Sequence, residues 1–215
     1  MDVADYPDPS MEDILGSYKG IKPTRACGAD FCKKNDVTTL PQEALTQLGT
    51  HLGNSIRSLT LPLPMLLNFI SLAPKAKGGE RPITVTSILY AALIRIFAPD
   101  LAHWTEERCG FWDSAVKGSS ALTAALARSA EAEIAYHSGK QSAGIFWDSE
   151  SFFDSICLLK LVDAAIEMDF SPVVLYLGLQ CHLCTRHFKI GNWMSGPTSP
   201  ITSIIAGCHL SDKFT

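Results

Sequence analysis

The chain has 215 residues, of which 47% are hydrophobic and 19% are charged, and its formal net charge is -4. This composition excludes an intrinsically disordered chain and predicts a globular protein of one or two domains with a sizeable core. The longest apolar stretches are interrupted and too short to span a membrane, which takes about 20 apolar residues. The seven cysteines lack the density of a disulfide scaffold. We therefore expect an intracellular, soluble protein and leave nucleus or cytoplasm open.

Charge is unevenly distributed along the chain. Residues 1–14 carry five acids and no Lys or Arg, which is unlike a secretory or organellar targeting segment. Residues 15–96 carry ten basic and four acidic side chains, whereas residues 97–215 carry eight basic and thirteen acidic ones. A basic segment before an acidic one is compatible with phosphate contacts beside a metal site, and equally with a solvated basic face.

Residues 1–40 are rich in Pro, Gly, Asp and Lys and show no clear period, which predicts an irregular or partly disordered lead-in. The first helix is predicted at residues 41–58, with apolar side chains at helical spacing and Thr39 as a candidate cap. A β-hairpin is predicted at residues 68–86, where two apolar runs flank a Gly-rich turn. Its rim carries Lys75, Lys77 and Arg81, which suits the gripping of a polyphosphate; charge that only keeps the hairpin soluble is the alternative.

Two further helices are predicted in the middle of the chain. Residues 87–104 show helical apolar spacing with a break near Pro99, and an Ala-rich helix is expected after a cap at Ser119 or Ser120. A Gly-Phe turn and a polar loop lie between them. Lys117 in this loop is a candidate phosphate contact, although an exposed loop Lys is the commoner explanation.

The most informative stretch is residues 144–156, which read GIFWDSESFFDSI. Residues 143–147 are short, apolar and aromatic, which predicts a buried strand that ends at Asp148 with its carboxylate facing a cleft. Ser155 is predicted to cap the helix that follows. An Asp at a helix entry beside a core aromatic is the bland alternative for this pattern.

The last third of the chain predicts a buried helix at residues 172–186 and a small hairpin at residues 187–195. Cys181 and Cys184, with two histidines nearby, also allow a zinc site, but a second ligand pair does not stand out. A buried helix in which Cys acts as a small hydrophobic residue is the favoured interpretation.

Several of these blocks resemble those of reverse transcriptases. Residues 148–154 resemble motif A, in which a strand ends in Asp and an aromatic-Asp pair follows four residues later. Residues 74–83 resemble the fingers hairpin, with a Pro-Lys pair, a Gly-rich turn and an Arg-Pro-Ile run. The Gly-Phe turn and the Ala-rich helix match the family's template-contacting segment. The resemblance covers about residues 65–215, and the order of its blocks is its strongest support.

The resemblance implies roles for particular residues. Asp148 would bind the catalytic Mg²⁺ ions, Phe153 would block a ribose 2′-hydroxyl, and Lys75 and Arg81 would contact the phosphates of the incoming nucleotide. Lys117 would lie at the template. The Asp that follows the motif A aromatic, here at position 154, is expected to face structure rather than metal.

Residues 200–214 occupy the place of motif B, a Gly-rich entry into a helix that supports template and nucleotide. Where the family has Gly-x-Pro-Gln-Gly, residues 203–207 read Ser-Ile-Ile-Ala-Gly, so only Gly207 is retained as a template contact. Loss of the Gln amide removes the family's usual contact in the nucleotide pocket.

The implied fold is α/β: a right-hand polymerase, helix-rich with short strands and hairpins. Residues 1–40 would be a lead-in, residues 41–142 a fingers-like region and residues 143–215 a partial palm. The implied activity is magnesium-dependent, template-directed nucleotidyl transfer by the RNA-directed DNA polymerase of a retrotransposon, with an RNA template, a DNA primer and deoxynucleoside triphosphates as partners and no membrane.

No Asp-Asp pair occurs in the sequence. We therefore expect a fragment that ends before the family's aromatic-x-Asp-Asp motif, that lacks the carboxy-terminal palm and thumb, and that does not extend a primer by itself. A non-catalytic reverse-transcriptase-like remnant that binds nucleic acid or protein is the alternative. An unrelated phosphotransferase domain would need a Gly-rich phosphate loop, and the pattern G-x4-G-K-[ST] is absent from the sequence.

Overall fold

The computed structural model describes residues 3–76, 78–110, 113–114, 118–145, 152–200, 202–206, 208–211 and 213–214. The protein is mixed α/β, about 50% helical with a small four-stranded mixed sheet, so the α/β class is confirmed. One compact unit comprises residues 1–98 and 151–215, and the other comprises residues 99–150. These units differ from the predicted division at residues 41 and 143, and the assignment of fingers and palm stays a prediction.

The described residues form helices and strands with the following bounds. The helices are α1 (Met11–Tyr18), α2 (Lys34–Thr38), α3 (Gln42–Arg57), α4 (Leu63–Leu66), α5 (Ile88–Ile96), α6 (Ala98–Arg108), α7 (Ala121–His137), α8 (Phe152–Ser155), α9 (Leu158–Glu167) and α10 (Pro172–Leu183). The strands are β1 (Asn68–Pro74), β2 (Glu80–Val85), β3 (Arg186–Ile190) and β4 (Trp193–Met194).

The amino-terminal 40 residues are more ordered than the sequence predicts. Ser10 and Asp13 form a capping box at the start of α1: the Asp13 N–H donates to Ser10 Oγ at 3.1 Å, and the Ser10 N–H donates to Asp13 Oδ2 at 2.9 Å. Ile14 and Tyr18 are buried, and α1 packs against α3 and α5. The prediction of an irregular lead-in is therefore wrong for residues 11–18. The helix was missed because two helical turns hold too few apolar residues to show a clear period.

Asp30 closes the amino-terminal end of α5. Its Oδ2 accepts hydrogen bonds from Ser87 Oγ at 2.6 Å and from the Ile88 N–H at 2.9 Å. Ser87 Oγ in turn accepts from the N–H groups of Leu89 and Tyr90. Two side chains 57 residues apart in sequence therefore satisfy the first N–H groups of a largely buried helix.

Helix α3 confirms the first predicted helix, and its Leu45, Leu52 and Ile56 are buried as expected. The predicted cap is wrong. The N-cap is Pro41, and the Thr39 hydroxyl donates instead to the Asn35 carbonyl at 2.8 Å, at the end of α2. The short helix α2 was not predicted from the sequence, and Thr39 serves as its carboxy-terminal cap instead.

Strands β1 and β2 confirm the predicted hairpin. They pair antiparallel from Phe69 opposite Val85 to Pro74 opposite Glu80. At the turn, φ is +88° at Gly78 and +81° at the following residue, a region that glycine enters without the strain of a Cβ. The turn chemistry read from the sequence is therefore the chemistry that closes the hairpin.

The hairpin belongs to a larger sheet with strand order β2-β1-β3-β4. Strand β3 runs parallel to β1, with Asn68 opposite Arg186, and β3 and β4 form the small antiparallel hairpin predicted near residue 190. The parallel pairing joins segments more than one hundred residues apart, and a local reading of the sequence cannot find it. It brings the base of the first hairpin to the end of α10.

The remaining predicted helices are also found. Residues 87–104 form α5 and α6 with a break near Pro99, α10 begins at Pro172 after the N-cap Ser171, and Ser120 caps the Ala-rich helix α7. In the part of the chain that the structure describes, no helix has the length and apolar character needed to cross a bilayer.

Candidate functional site

The cationic end of the first hairpin is formed as the sequence predicts. The Lys75 N–H donates to the Gly79 carbonyl at 2.9 Å, and Arg81 lies opposite Ala73 on β1. Both cationic side chains are exposed, and neither forms an ion pair with a carboxylate of the described residues. Lys77 lies outside those residues. Two exposed cationic side chains at one end of the hairpin are therefore accessible to an anionic ligand.

The predicted motif A strand is only partly described. Residues 143–145 form no strand, and Ile145 is 77% exposed, so the buried strand is wrong for these three residues. A short apolar run does not by itself decide between a strand and an exposed segment. Asp148, the predicted metal ligand, lies outside the described residues, as do Lys117 and Gly207.

Phe153 and Asp154, at the end of the motif A block, contact the motif B block through the backbone. The Ile204 N–H donates to the Phe153 carbonyl at 2.9 Å, and the Ser203 N–H donates to the Ile156 carbonyl at 3.1 Å. Ser203 Oγ also lies 3.3 Å from Asp154 Oδ1. Two blocks about fifty residues apart are therefore joined by hydrogen bonds from residues 203 and 204 to the short helix α8 and the residue that follows it.

Arg186, at the start of β3, extends this contact into the core. Its Nη1 donates to Ser203 Oγ at 2.9 Å, and its Nη2 donates to the Ser203 carbonyl at 3.1 Å and to the His182 carbonyl at 3.0 Å. Burial lowers the pKa of the guanidinium, while the Cys184 thiol and the Asp154 carboxylate oppose that shift. We call Asp154, Ser203, Arg186 and His182 the polar junction.

His182 is the innermost member of the polar junction. Its side chain is 0% exposed, and its Nδ1 accepts the Ile205 N–H at 2.7 Å. An imidazole that accepts at Nδ1 is neutral with its proton on Nε2. Burial first, and the positive charge of Arg186 second, lower the pKa of His182 to about 3. The ring therefore holds the backbone of the motif B block and stays uncharged at neutral pH.

The polar junction is separated from the cationic end of the hairpin by the length of β1. Asn68, opposite Arg186, and Ala73, opposite Arg81, are five residues apart on this strand. At a rise of about 3.3 Å per residue they lie roughly 17 Å apart along the strand. The cationic end of the hairpin and the buried junction are therefore well separated along β1.

Cys181 of α10 and Cys184, which caps the carboxy-terminal end of that helix, take part in hydrogen bonds within the core. Asn68 Nδ2 donates to the Cys181 carbonyl at 3.1 Å and to Cys184 Sγ at 3.0 Å. His187 Nδ1 lies 3.2 Å from the Ser195 carbonyl, and His182 is committed to Ile205. The zinc alternative is not supported, since these groups point to separate partners. Cys181 is fully buried, as the favoured interpretation expects.

Two local predictions near the junction are wrong. Ser155 is the last residue of the short helix α8, where its hydroxyl donates to the Phe152 carbonyl at 2.8 Å, and Cys157 is the N-cap of α9. The predicted motif B helix is absent among the described residues of 202–214, which form turns. Ile204 and Ile205 are 1% exposed each, and φ at Ser203 is +100°, which lies outside the right-handed helical region.

No protein-family model matches this chain, and the comparison with curated proteins gave no match. Among the residues with described positions, no three His, Cys, Asp or Glu side chains are grouped to hold a metal ion. Asp148 and Glu150 are outside that set. The assignment of function therefore rests on the residues themselves.

The buried polar residues Asn68 and Arg186 were not predicted from the sequence. Each lies at the start of a strand, and a charged or amide side chain there is ordinarily read as a solvated end. Their partners are 113 residues away for the first and 17 residues away for the second. Neither partner could be paired with them before the sheet was known. Arg95, in contrast, could have been identified from the sequence as a candidate functional residue, because it is the lone charged residue of the apolar helix α5.

Proposed function

We propose that the chain is the fingers and part of the palm of a reverse-transcriptase-like polymerase of a retroelement, and that its first hairpin binds the phosphates of a deoxynucleoside triphosphate. The observation that carries the proposal is the closed hairpin that holds Lys75 and Arg81 exposed at one end, without carboxylate partners among the described residues. Guanidinium groups bind phosphate oxygens in two parallel, charge-assisted hydrogen bonds.

Contact between the motif A and motif B blocks supports the same proposal. Both blocks border a nucleotide site in the family that the sequence resembles, and here Phe153 and Ile204 are joined directly. Asp154 faces Ser203 and Arg186, in line with the expected structural role of that position. Asp148 is the residue that would hold Mg²⁺, whose chemistry in nucleotidyl transfer is to activate the attacking hydroxyl and to stabilise the leaving pyrophosphate.

A non-catalytic remnant is the second candidate, and the motif B block favours it. In the family this block supplies a Gln amide to the nucleotide pocket, whereas this chain has Ala206 at that place. Ile204 and Ile205 are buried beside it. A remnant of this kind would keep the fold and the cationic hairpin, and it would bind nucleotide or nucleic acid without transferring a nucleotidyl group.

Arg81→Ala should weaken binding of a deoxynucleoside triphosphate by about tenfold or more, because a charge-assisted contact to phosphate is worth about 1.5 to 3 kcal/mol. Binding by the parent chain should also weaken steeply with salt. The measurement is equilibrium binding at low and at physiological ionic strength. Arg128→Ala is the matched control, because it removes the same charge from an exposed site on α7.

The two variants separate a specific site from general charge. Affinity that is lost in Arg81→Ala and kept in Arg128→Ala supports the hairpin as a phosphate site. Equal affinity in the parent chain and both variants would show that the hairpin is only a solvated edge.

A further inference from the structure

A second cationic pocket lies in the first compact unit, between the segment after α1, the carboxy-terminal half of β2 and helix α5. It has a volume of about 450 Å³. Three of its lining residues are basic, namely Lys22, Arg25 and Arg95, and His209 also lines it. The sequence reading and the proposed polymerase site use none of these residues.

The guanidinium groups of Arg25 and Arg95 are oriented by hydrogen bonds to neighbouring residues. Arg25 Nη2 donates to Thr86 Oγ1 at 3.0 Å. Arg95 Nε donates to His209 Nε2 at 3.1 Å, and Arg95 Nη1 lies 3.4 Å from the Ser17 carbonyl. These contacts are to neutral acceptors, so they orient the guanidinium groups without neutralising them.

The two arginines lack a carboxylate at salt-bridge distance among the described residues. Asp30 is the nearby acid that favours the charged form of Arg25, but its Oδ2 is occupied by Ser87 Oγ and the Ile88 N–H at the start of α5. Burial, and then the like charge of Arg25, lower the pKa of Arg95.

The other wall of the pocket is apolar. Ile21 is buried, and Ile83 and Val85 project from the same face of β2. A volume of this order lies within the range of small-molecule sites, and a cationic side facing an apolar side fits a ligand with an anionic group and a hydrocarbon or aromatic body. It is too small to enclose a folded partner.

We propose that this pocket binds the phosphate group of a small organic phosphomonoester, with Arg25, Arg95 and Lys22 around the phosphate and Ile21, Ile83 and Val85 against the organic part. A dianion placed between the two guanidinium groups relieves their repulsion and receives charge-assisted hydrogen bonds. The apolar wall distinguishes such a ligand from inorganic phosphate. The proposal does not depend on the cationic end of the hairpin or on polymerase activity.

The test is calorimetric titration of the full chain with phenyl phosphate, inorganic phosphate and phenol at constant ionic strength. Phenyl phosphate should bind most tightly, because its phosphate supplies the charge and its ring supplies buried apolar area. Inorganic phosphate should bind at least about tenfold more weakly, and phenol should not bind measurably. Arg25→Gln and Arg95→Gln should each lower the affinity for phenyl phosphate at least about tenfold. Arg128→Gln, the charge-matched control, should leave it unchanged.

Gly20→Ala tests the geometry without changing any charge. A Cβ at residue 20 would lie 2.7 Å from Arg95 Nη1, so the methyl group must displace the guanidinium. We expect the affinity for phenyl phosphate to fall at least about threefold, with circular dichroism and the unfolding transition near those of the parent. If an arginine variant fails to fold, this variant and Lys22→Gln, at an exposed position, decide the question.

Equal binding of phenyl phosphate by the parent chain and the folded variants would overturn the proposal, as would binding of phenol as tight as that of phenyl phosphate. Inorganic phosphate binding as tightly as phenyl phosphate would contradict a role for the apolar wall. Arg81→Ala should keep affinity for phenyl phosphate. Failure of the hairpin proposal therefore leaves this result standing.

Discussion

Arg186→Ala should lower the free energy of unfolding by about 3 kcal/mol, the largest loss that we expect from one substitution in this chain. Arg186 is 9% exposed, and its guanidinium donates to Ser203 Oγ, to the Ser203 carbonyl and to the His182 carbonyl. Removing it leaves three buried acceptors without donors and a cavity between β3 and the motif B block. Each orphaned group carries its own desolvation cost.

The measurement is urea unfolding of the parent chain and of two variants. Lys189→Ala changes an exposed cation on the same strand, and we expect a change within about 0.5 kcal/mol. Arg186→Lys keeps the charge but loses the planar fork, and it should fall between the other two. Equal stability of Arg186→Ala and Lys189→Ala would show that the polar junction does not hold the two blocks together.

Acidification should destabilise the protein well above the range in which carboxylates titrate. The pKa of His182 is lowered to about 3, whereas in the unfolded chain it returns to about 6.5. Between these values the unfolded state binds a proton that the folded state does not. Unfolding free energy therefore falls as pH falls through this window, by about 1.4 kcal/mol per pH unit, and the contribution is fully present above about pH 6.5.

Denaturant titrations at about pH 7, 6 and 5 measure this loss before most carboxylates are protonated. Asp8 and Asp13 contribute only at lower pH, because hydrogen bonds from Arg57 and from Ser10 respectively lower their pKa values. His182→Gln should remove most of the slope, and His103→Gln, at an exposed position, should keep it. A parent chain equally stable at pH 7 and pH 5 would contradict a neutral, buried His182.

Elements with local signals could be predicted from the sequence. The hairpin of β1 and β2 has a Gly-Gly turn between apolar runs, α7 follows a Ser cap, and α10 begins at a Ser-Pro pair. In each case the residues that start or reverse the element are adjacent to it. Such signals act over one or two turns, so they survive without knowledge of the fold.

Elements that depend on distant partners could not be predicted in this way. Helix α1 is stabilised by packing on α3 and α5, and Asp30 becomes a helix cap only when the lead-in folds back on residue 87. Residues 202–206 form no helix, and Phe153 and Arg186 supply hydrogen-bond partners for the backbone of Ile204 and Ser203. Tertiary contacts outweigh local propensity at these places.

The candidate site divides in the same way. Lys75 and Arg81 were found from a local pattern, and their exposure at the strand end follows from that pattern. The polar junction was not found, because Arg186 and His182 become a site only beside Ser203. The order of blocks along the chain suggested a polymerase, and the contact between two of those blocks is compatible with one.

The dependence of triphosphate affinity on Mg²⁺ is the most direct test of the claim that Asp148 holds the metal ion of a bound nucleotide. We predict that Mg²⁺ raises the affinity of the parent chain for a deoxynucleoside triphosphate about tenfold, that Asp148→Ala loses this gain, and that Asp163→Ala, an exposed carboxylate on α9, keeps it. The same dependence on Mg²⁺ in the parent chain and in Asp148→Ala would contradict the claim, because the ion would then act through the triphosphate alone.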